Sequence, residues 1–281
     1  MSKEITVPTP TILTSKSFDG RHIIQFNEKS HKYKLNGKPC VGVTTFVKAG
    51  YPTSMGLISW FKGQSINYTF DWFLNRGHVQ SITEDDKKEL FKAAKAADQK
   101  TSQEAADVGT ILHDFSYLTE LGKHQEAQEL YNKVLQLSVK DKIINGIDKF
   151  KKWKAGNQDE LVASESLIGS PTYLFCGKFD RLAKRNGKLI LSDFKTSNSI
   201  YPDHFIQLGG YSIACREWLG MKVEGLEVLR FSKEDGEFET MLIDDPKEIQ
   251  MFEDQAVRCK FTYDFRRIEN DSRFSWKNRN A

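Results

Sequence analysis

The stretch Gly177–Ser197, GKFDRLAKRNGKLILSDFKTS, restricts the fold more than any other part of the chain. Asn186-Gly187 between two β-rich runs is the dipeptide of a two-residue hairpin turn, and such a turn fixes the strand register. If Arg185 pairs with Lys188, the same register sets Asp180 opposite Asp193, with both side chains on one face of the ribbon. Alternation along the strand adds Lys195 to the face that carries Asp193. Facing carboxylates are unfavourable unless a cation lies between them. The run Leu189-Ile-Leu191 ahead of them is continuously apolar, as in a strand covered on both faces, so water relieves the pair poorly. A twisted hairpin tip that splays both acids into solvent is the other outcome of the same residues.

Around this hairpin the pattern is mixed. HKYKLNGKPCVGVTT contains a second Asn-Gly turn, Asn36-Gly37, between β-like runs. Met55 to Phe73 reads as an aromatic-rich helix. Thr83 is an N-cap for a helix through Lys100, with acids in its first turn. Separate helices are expected at Ser102–Leu121, His124–Leu137 and Asp141–Lys154. Strands then follow at LVASESLIG and in both halves of the hairpin, next a helix at DHFIQLGGYSIACREWLG, two more strands, and a proline-started helix from Pro246. Such an order indicates an α/β fold with a mixed sheet flanked by helices and a mainly helical N-terminal lobe. Four divisions are expected: a flexible arm over 1–20, a hairpin and helical lobe over 21–158, an α/β core over 159–263, and a basic aromatic tail over 264–281.

Composition narrows the function classes. The 281 residues carry a net charge of only +3, too small to demand a polyanionic partner, and no run is apolar enough to span a membrane. The first twenty residues lack the layout of a secretory signal, so a soluble cytoplasmic protein is expected, with a mitochondrial address left open. Cys40, Cys176, Cys215 and Cys259 are far apart and form no CxxC pair, which argues against a zinc ribbon or an iron–sulfur cluster. From Arg258 onward seven basic residues face three acids and alternate with Tyr263, Phe265, Phe274 and Trp276. That mixture suits single-stranded nucleic acid, and it equally suits a helix docking its aromatics on the core with its charges outside.

Two carboxylates with a lysine two residues on suit Mg²⁺ or Mn²⁺, which prefer oxygen ligands and activate water for phosphodiester hydrolysis. The residues Gly177-Lys-Phe-Asp180 and Asp193-Phe-Lys195 resemble the motifs of the PD-(D/E)xK nuclease superfamily, in particular its RecB/Cas4-like exonuclease branch. Phage exonucleases and the mitochondrial genome maintenance exonuclease are the members it looks most like. Gln207-Leu-Gly-Gly-Tyr211 matches the branch's Gln-x-x-x-Tyr, placing Gln207 and Tyr211 on one helical face. Gly209 and Gly210 inside that helix suggest a close approach by another backbone. Gly109-Thr110-Ile-Leu-His113 matches the branch's upstream histidine, on a small-residue face distinct from the apolar stripe Val108, Leu112, Phe115 and Leu118. Glu165 on the preceding strand stands where many members carry an acid, and His204 is a spare histidine. HKYKLNGKPCVGVTT resembles the branch's first strands, with Gly42 where a serine is common; Thr44 is then a phosphate contact or a helix N-cap.

The resemblance implies a restriction-endonuclease-like core and a DNA exonuclease using one or two Mg²⁺ or Mn²⁺ ions, without the iron–sulfur cluster of some members. His113, Asp180, Asp193 and the Phe194 carbonyl would be metal ligands, and Lys195 would position water. Gln207 and Tyr211 would hold Lys195 or the strand, and Glu165 would act as ligand or support. The implied partner is DNA, single-stranded or with a free end, in recombination, replication or repair, beside a single-strand-annealing or replication partner. A structure-selective endonuclease and a silent DNA-end-binding protein are the alternatives.

Overall fold

A computed structural model describes residues 12–51, 69, 71, 83–137, 139–157, 159–197, 199–232 and 237–269, with side chains omitted at 91 and 93–107. Apart from residues 69 and 71, the expected helix at Met55–Phe73 lies outside the described residues, as does the tail beyond 269.

Both Asn-Gly dipeptides form the turns they announce. Asn36 and Gly37 have φ of 50° and 77°, Asn186 and Gly187 of 51° and 82°, the paired positive angles of a type I′ hairpin. The first joins β3 (Lys32–Leu35) to β4 (Lys38–Gly42). The second joins β6 (Phe175–Arg185) to β7 (Lys188–Lys195), in the expected register from Arg185↔Lys188 to Arg181↔Ser192.

These hairpins belong to one mixed sheet of nine strands. β1 (Ile12–Lys16), β2 (Ile23–Asn27), β3 and β4 form an antiparallel meander. β4 then runs parallel to the start of β6, at Val41↔Phe175 and Gly42↔Cys176. β7 pairs in parallel with β8 (Gly225–Phe231), and β9 (Phe238–Ile243) closes the edge antiparallel. β5 (Glu160–Ser170) lies along one edge of β6 from Phe175 to Lys184. β4 and β7 therefore share its other edge. β4 takes Phe175 and Cys176, β7 begins at Arg181, and Gly177–Asp180 is left without ladder partners on that side. The fold thus opens its sheet at the GxxD residues.

Helices cover both faces. α1 (Val43–Gly50), α5 (Pro202–Ala214, continued by a π-helical turn at Cys215–Leu219) and α6 (Pro246–Glu269) enclose one core with Phe175, Leu182, Leu191 and Val228. α2 (Glu84–Glu120), α3 (His124–Val134) and α4 (Lys140–Gly156) enclose a second with Phe194, Phe231 and Phe238. The expected apolar stripe of α2 is correct: Val108, Leu112 and Phe115 are buried and Leu118 packs beside them.

Three expectations need correction. Residues 12–20 are not loose: β1 pairs with β2, Trp218 Nε1 donates to Ser15 Oγ at 2.9 Å, and Phe18 N donates to Trp218 O at 2.8 Å. The helices expected on either side of Thr101 are one 37-residue α2, because neither glycine nor proline interrupts it there. Thr83 does cap it, accepting from Asp86 N at 3.1 Å while the Asp86 carboxylate takes Thr83 N. Thr44 is not the cap of α1; Gly42 holds that position, and the Thr44 hydroxyl bonds Tyr211.

The glycine pair of α5 has a packing cause. A Cβ on Gly209 would lie 2.5 Å from Phe252 C and O in α6, and one on Gly210 would lie 3.0 Å from Val43 in α1. Gly209→Ala must push two helices apart, so it is expected to destabilise the protein by about 1–3 kcal/mol in chemical denaturation. An unchanged midpoint would contradict that close approach.

Candidate functional site

His113 reaches the sheet because one side of α2 is fitted to it. Gly109, one turn before, has no Cβ to strike Thr196, whose Oγ1 would be 2.5 Å away. Two turns after His113, the Glu120 carboxylate is buried against Lys154 at 3.0 Å and Arg181 at 3.4 Å. Positions 109, 113 and 120 share a helical face, so α2 is fixed above and below the histidine. Its ring stands edge-on to Phe194, centroids 6.0 Å apart.

His113 Nε2 lies 2.9 Å from Glu165 Oε1 and 3.3 Å from Asp180 Oδ1. One donor atom from each of these three residues fits within a span of 4.8 Å, and they form the one such group among the described residues. Glu165 has φ of +49° within a strand, a conformation costing a non-glycine residue on the order of 1 kcal/mol or more. The ladder breaks beside it: Ser164↔Arg181 and Ser166↔Phe179 are paired, and Ser164 Oγ donates to Asp180 O at 2.7 Å. The strain brings a half-buried acid next to Asp180 and His113.

Asp180 Oδ2 accepts from Phe194 N at 2.7 Å. N–H and C=O of one strand residue point to the same side, so the Phe194 carbonyl faces this opening too. Asp193 stands outside the three-residue group. It is 2% exposed, its Oδ1 accepts from Gln207 Nε2 at 3.1 Å, and its Oδ2 lies against the Lys195 ammonium. Lys195 Nζ in turn donates to Gln207 Oε1 at 3.2 Å. Gln207 and Tyr211 do share a face of α5, with Tyr211 Oη 3.5 Å from Gln207 Nε2. The Tyr211 ring covers Gly177, where a Cβ would lie 2.5 Å from Cε1. The first glycine of GxxD is thus the floor on which Tyr211 rests.

Asp180 is paired with His113 and Asp193 with Lys195, and the Lys195 charge acts on both aspartates. Burial opposes charge on His113, but hydrogen bonds to Asp180 and Glu165 outweigh it and push the imidazole up to about 11. Burial likewise works against Asp180, yet His113, Lys195 and Phe194 N hold it below the usual carboxylate range. Asp193 goes the other way: burial and the Asp180 charge push it up to about 7 against the pull of Lys195.

His204 is not part of this group. Its Nδ1 accepts from Tyr201 N at 3.2 Å, and burial pulls it down to about 3, so it serves as a neutral cap for α5. A residue missed in the sequence joins the site instead. Lys178, two residues before Asp180, forms an ion pair with Glu165 Oε2, and the alternation of β6 was the signal that places it there.

One imidazole nitrogen with carboxylate oxygens is a donor set that could hold a divalent metal ion. Asp193 Oδ2 is enclosed beside this group and is held by the Lys195 ammonium. No known protein-family pattern matches the chain, and no curated protein is similar to it. Among solved structures, one described as "Crystal structure of SSO0001" is 17% identical over 53% of this chain and 73% of that one, with a TM-score of 0.26. A likeness that slight carries no argument. Among the described residues no helix is long and apolar enough to cross a membrane.

Proposed function

We propose that the protein is a Mg²⁺- or Mn²⁺-dependent DNA exonuclease of the PD-(D/E)xK type with a restriction-endonuclease-like core, acting on strands with a free end. The observation that carries this reading is the meeting of His113, Glu165 and Asp180 at the opening between β4 and β7, with Asp193, Lys195 and Gln207 bonded to one another beside it. His113 Nε2 and the carboxylates of Glu165 and Asp180 would hold the ion, with Asp193 and the Phe194 carbonyl next to them. When bound, such an ion supplies a water of lowered pKa and neutralises charge on the phosphate.

The chain's own residues do the rest. Asp193 and Gln207 hold the Lys195 ammonium in one orientation, where it aligns the attacking water and meets negative charge growing on the phosphate. Tyr211 supports Gln207 from the next turn, and Gly177 and Thr44 fix the tyrosine. Phe261 and Phe265, about 60% exposed on α6, share a side of the helix with the exposed Arg258, three and seven residues before them, a surface suited to stacking bases and pairing phosphates. An intracellular place beside the replication or recombination machinery follows from the substrate. Linear single-stranded DNA should be degraded in Mg²⁺ while the closed circle of the same sequence survives. Cutting of the circle would make the enzyme an endonuclease, and intact linear DNA would remove the reading.

The protonated His113 makes a second expectation. The imidazole must lose its proton to ligate, and at neutral pH it holds one because its value is raised to about 11. Apparent Mn²⁺ affinity should therefore rise about tenfold per pH unit below that value, with one proton released per ion. Calorimetry in buffers of different ionisation enthalpy reads this directly. Affinity independent of pH between neutrality and mild alkalinity would contradict a proton held on His113 by Asp180 and Glu165.

A further inference from the structure

Lys178 matches none of the motif positions, yet it is the third cation of the site. It stands two residues before Asp180 on β6, so both side chains point to the same side of the strand. Its ammonium pairs with Glu165 Oε2, while Oε1 of the same carboxylate meets His113 Nε2 at 2.9 Å. Both oxygens of Glu165 are thus held by cations. The exposures differ: the Glu165 side chain is 11% exposed and that of Lys178 33%. The carboxylate is enclosed and the ammonium lies at the rim.

A divalent ion entering this group needs an oxygen of Glu165. His113 can shed its proton and remain as a ligand. A charged ammonium has no lone pair and cannot join the ion's ligands, so it competes with the ion for the charge of Glu165. Its four-carbon stem and open side let it move away. Asp180, Glu28 and Asp114 are the other acids that act on it; Asp180 is paired with His113, and Asp114 is 57% exposed. A phosphodiester brought to the ion would be a new anion beside it.

Resting on the nuclease reading of this site, we propose that Lys178 is an exchangeable counter-ion. It holds Glu165 while no divalent ion is bound, then transfers to a backbone phosphate of the nucleic-acid strand when the ion takes that carboxylate. Lys178 is in this sense a substrate-binding residue that is masked until the metal arrives.

Lys178→Met keeps the stem and removes the charge; Lys178→Arg keeps the charge. By titration calorimetry, Lys178→Met should bind Mn²⁺ about fivefold more tightly than wild type, since a partly exposed ion pair no longer competes. With Ca²⁺ in place of Mn²⁺, the same variant should bind single-stranded oligothymidylate more weakly by fluorescence anisotropy. Its slope of log affinity against log salt should be shallower by about 0.7, the loss of one phosphate contact. Lys178→Arg should restore the slope. Should the Met variant fail to fold by circular dichroism, Lys178→Gln takes its place with the same expectations. Unchanged or weaker Mn²⁺ binding, or an unchanged slope, overturns the proposal. If the wild type binds Mn²⁺ and the variants match it, only the role of Lys178 falls; if the wild type binds no Mn²⁺, the reading of the site falls with it.

Discussion

Asp180→Asn is expected to slow Mg²⁺-dependent cleavage by at least about 100-fold, more than the loss usual for a residue that merely supports a metal ligand. The substitution keeps size and shape, and the amide oxygen can still accept from Phe194 N, so the strand opening should persist. What disappears is the negative charge shared with His113 and Glu165. With it goes the strongest hold on the His113 proton and one of the three donors proposed for the ion. The measurement is nucleotide release from an end-labelled strand, paired with Mn²⁺ titration of the same sample. Cleavage above about a tenth of the wild-type rate would exclude Asp180 as a ligand.

Asp193 should behave differently, because it is bound into the core. Asp193→Ala leaves the Lys195 ammonium and Gln207 Nε2 without their partner in a site where the aspartate is 2% and the lysine 20% exposed. Breaking a buried pair from one side costs about 3–5 kcal/mol, a fall of about 10 °C in melting temperature for a chain of this size. Removing both charges, in Asp193→Ala/Lys195→Met, should recover much of that loss, since an apolar replacement of a buried pair is often neutral. The double variant should nevertheless be inactive. Loss of activity in Asp193→Ala alone would thus mix chemistry with stability, whereas the stable but inactive double variant separates them. A single variant that melts with the wild type would show that Asp193 and Lys195 are not coupled.

Residue pattern and turn chemistry anticipated the parts of the molecule that depend on local rules. The two Asn-Gly turns, the register they impose, the apolar stripe of α2 and the Gln207/Tyr211 face all follow from periodicity. His113, Asp180, Asp193, Lys195 and Gln207 were each legible as candidates. How they divide was not. Whether Asp180 faces Asp193 or His113 depends on β4 and β7 sharing one edge of β6, a long-range pairing that leaves no local trace. The positive φ of Glu165 has no glycine or asparagine to announce it. β1 reads as a loose arm although its ladder partner β2 is near in sequence; only its contact with Trp218 lies some two hundred residues away. Thr101-Ser102 suggests a division of α2, since these residues favour caps, but they are tolerated inside a long helix.

The central claim is that His113, Glu165 and Asp180 form a divalent-ion site that cuts DNA from an end. End-labelled single- and double-stranded oligonucleotides, incubated over time with Mg²⁺ or with EDTA, test it most directly. Progressive shortening from a terminus in Mg²⁺, none in EDTA and almost none with Asp180→Asn is the expected result. Full-length strands in Mg²⁺ and in Mn²⁺, from a folded wild-type protein, would contradict it.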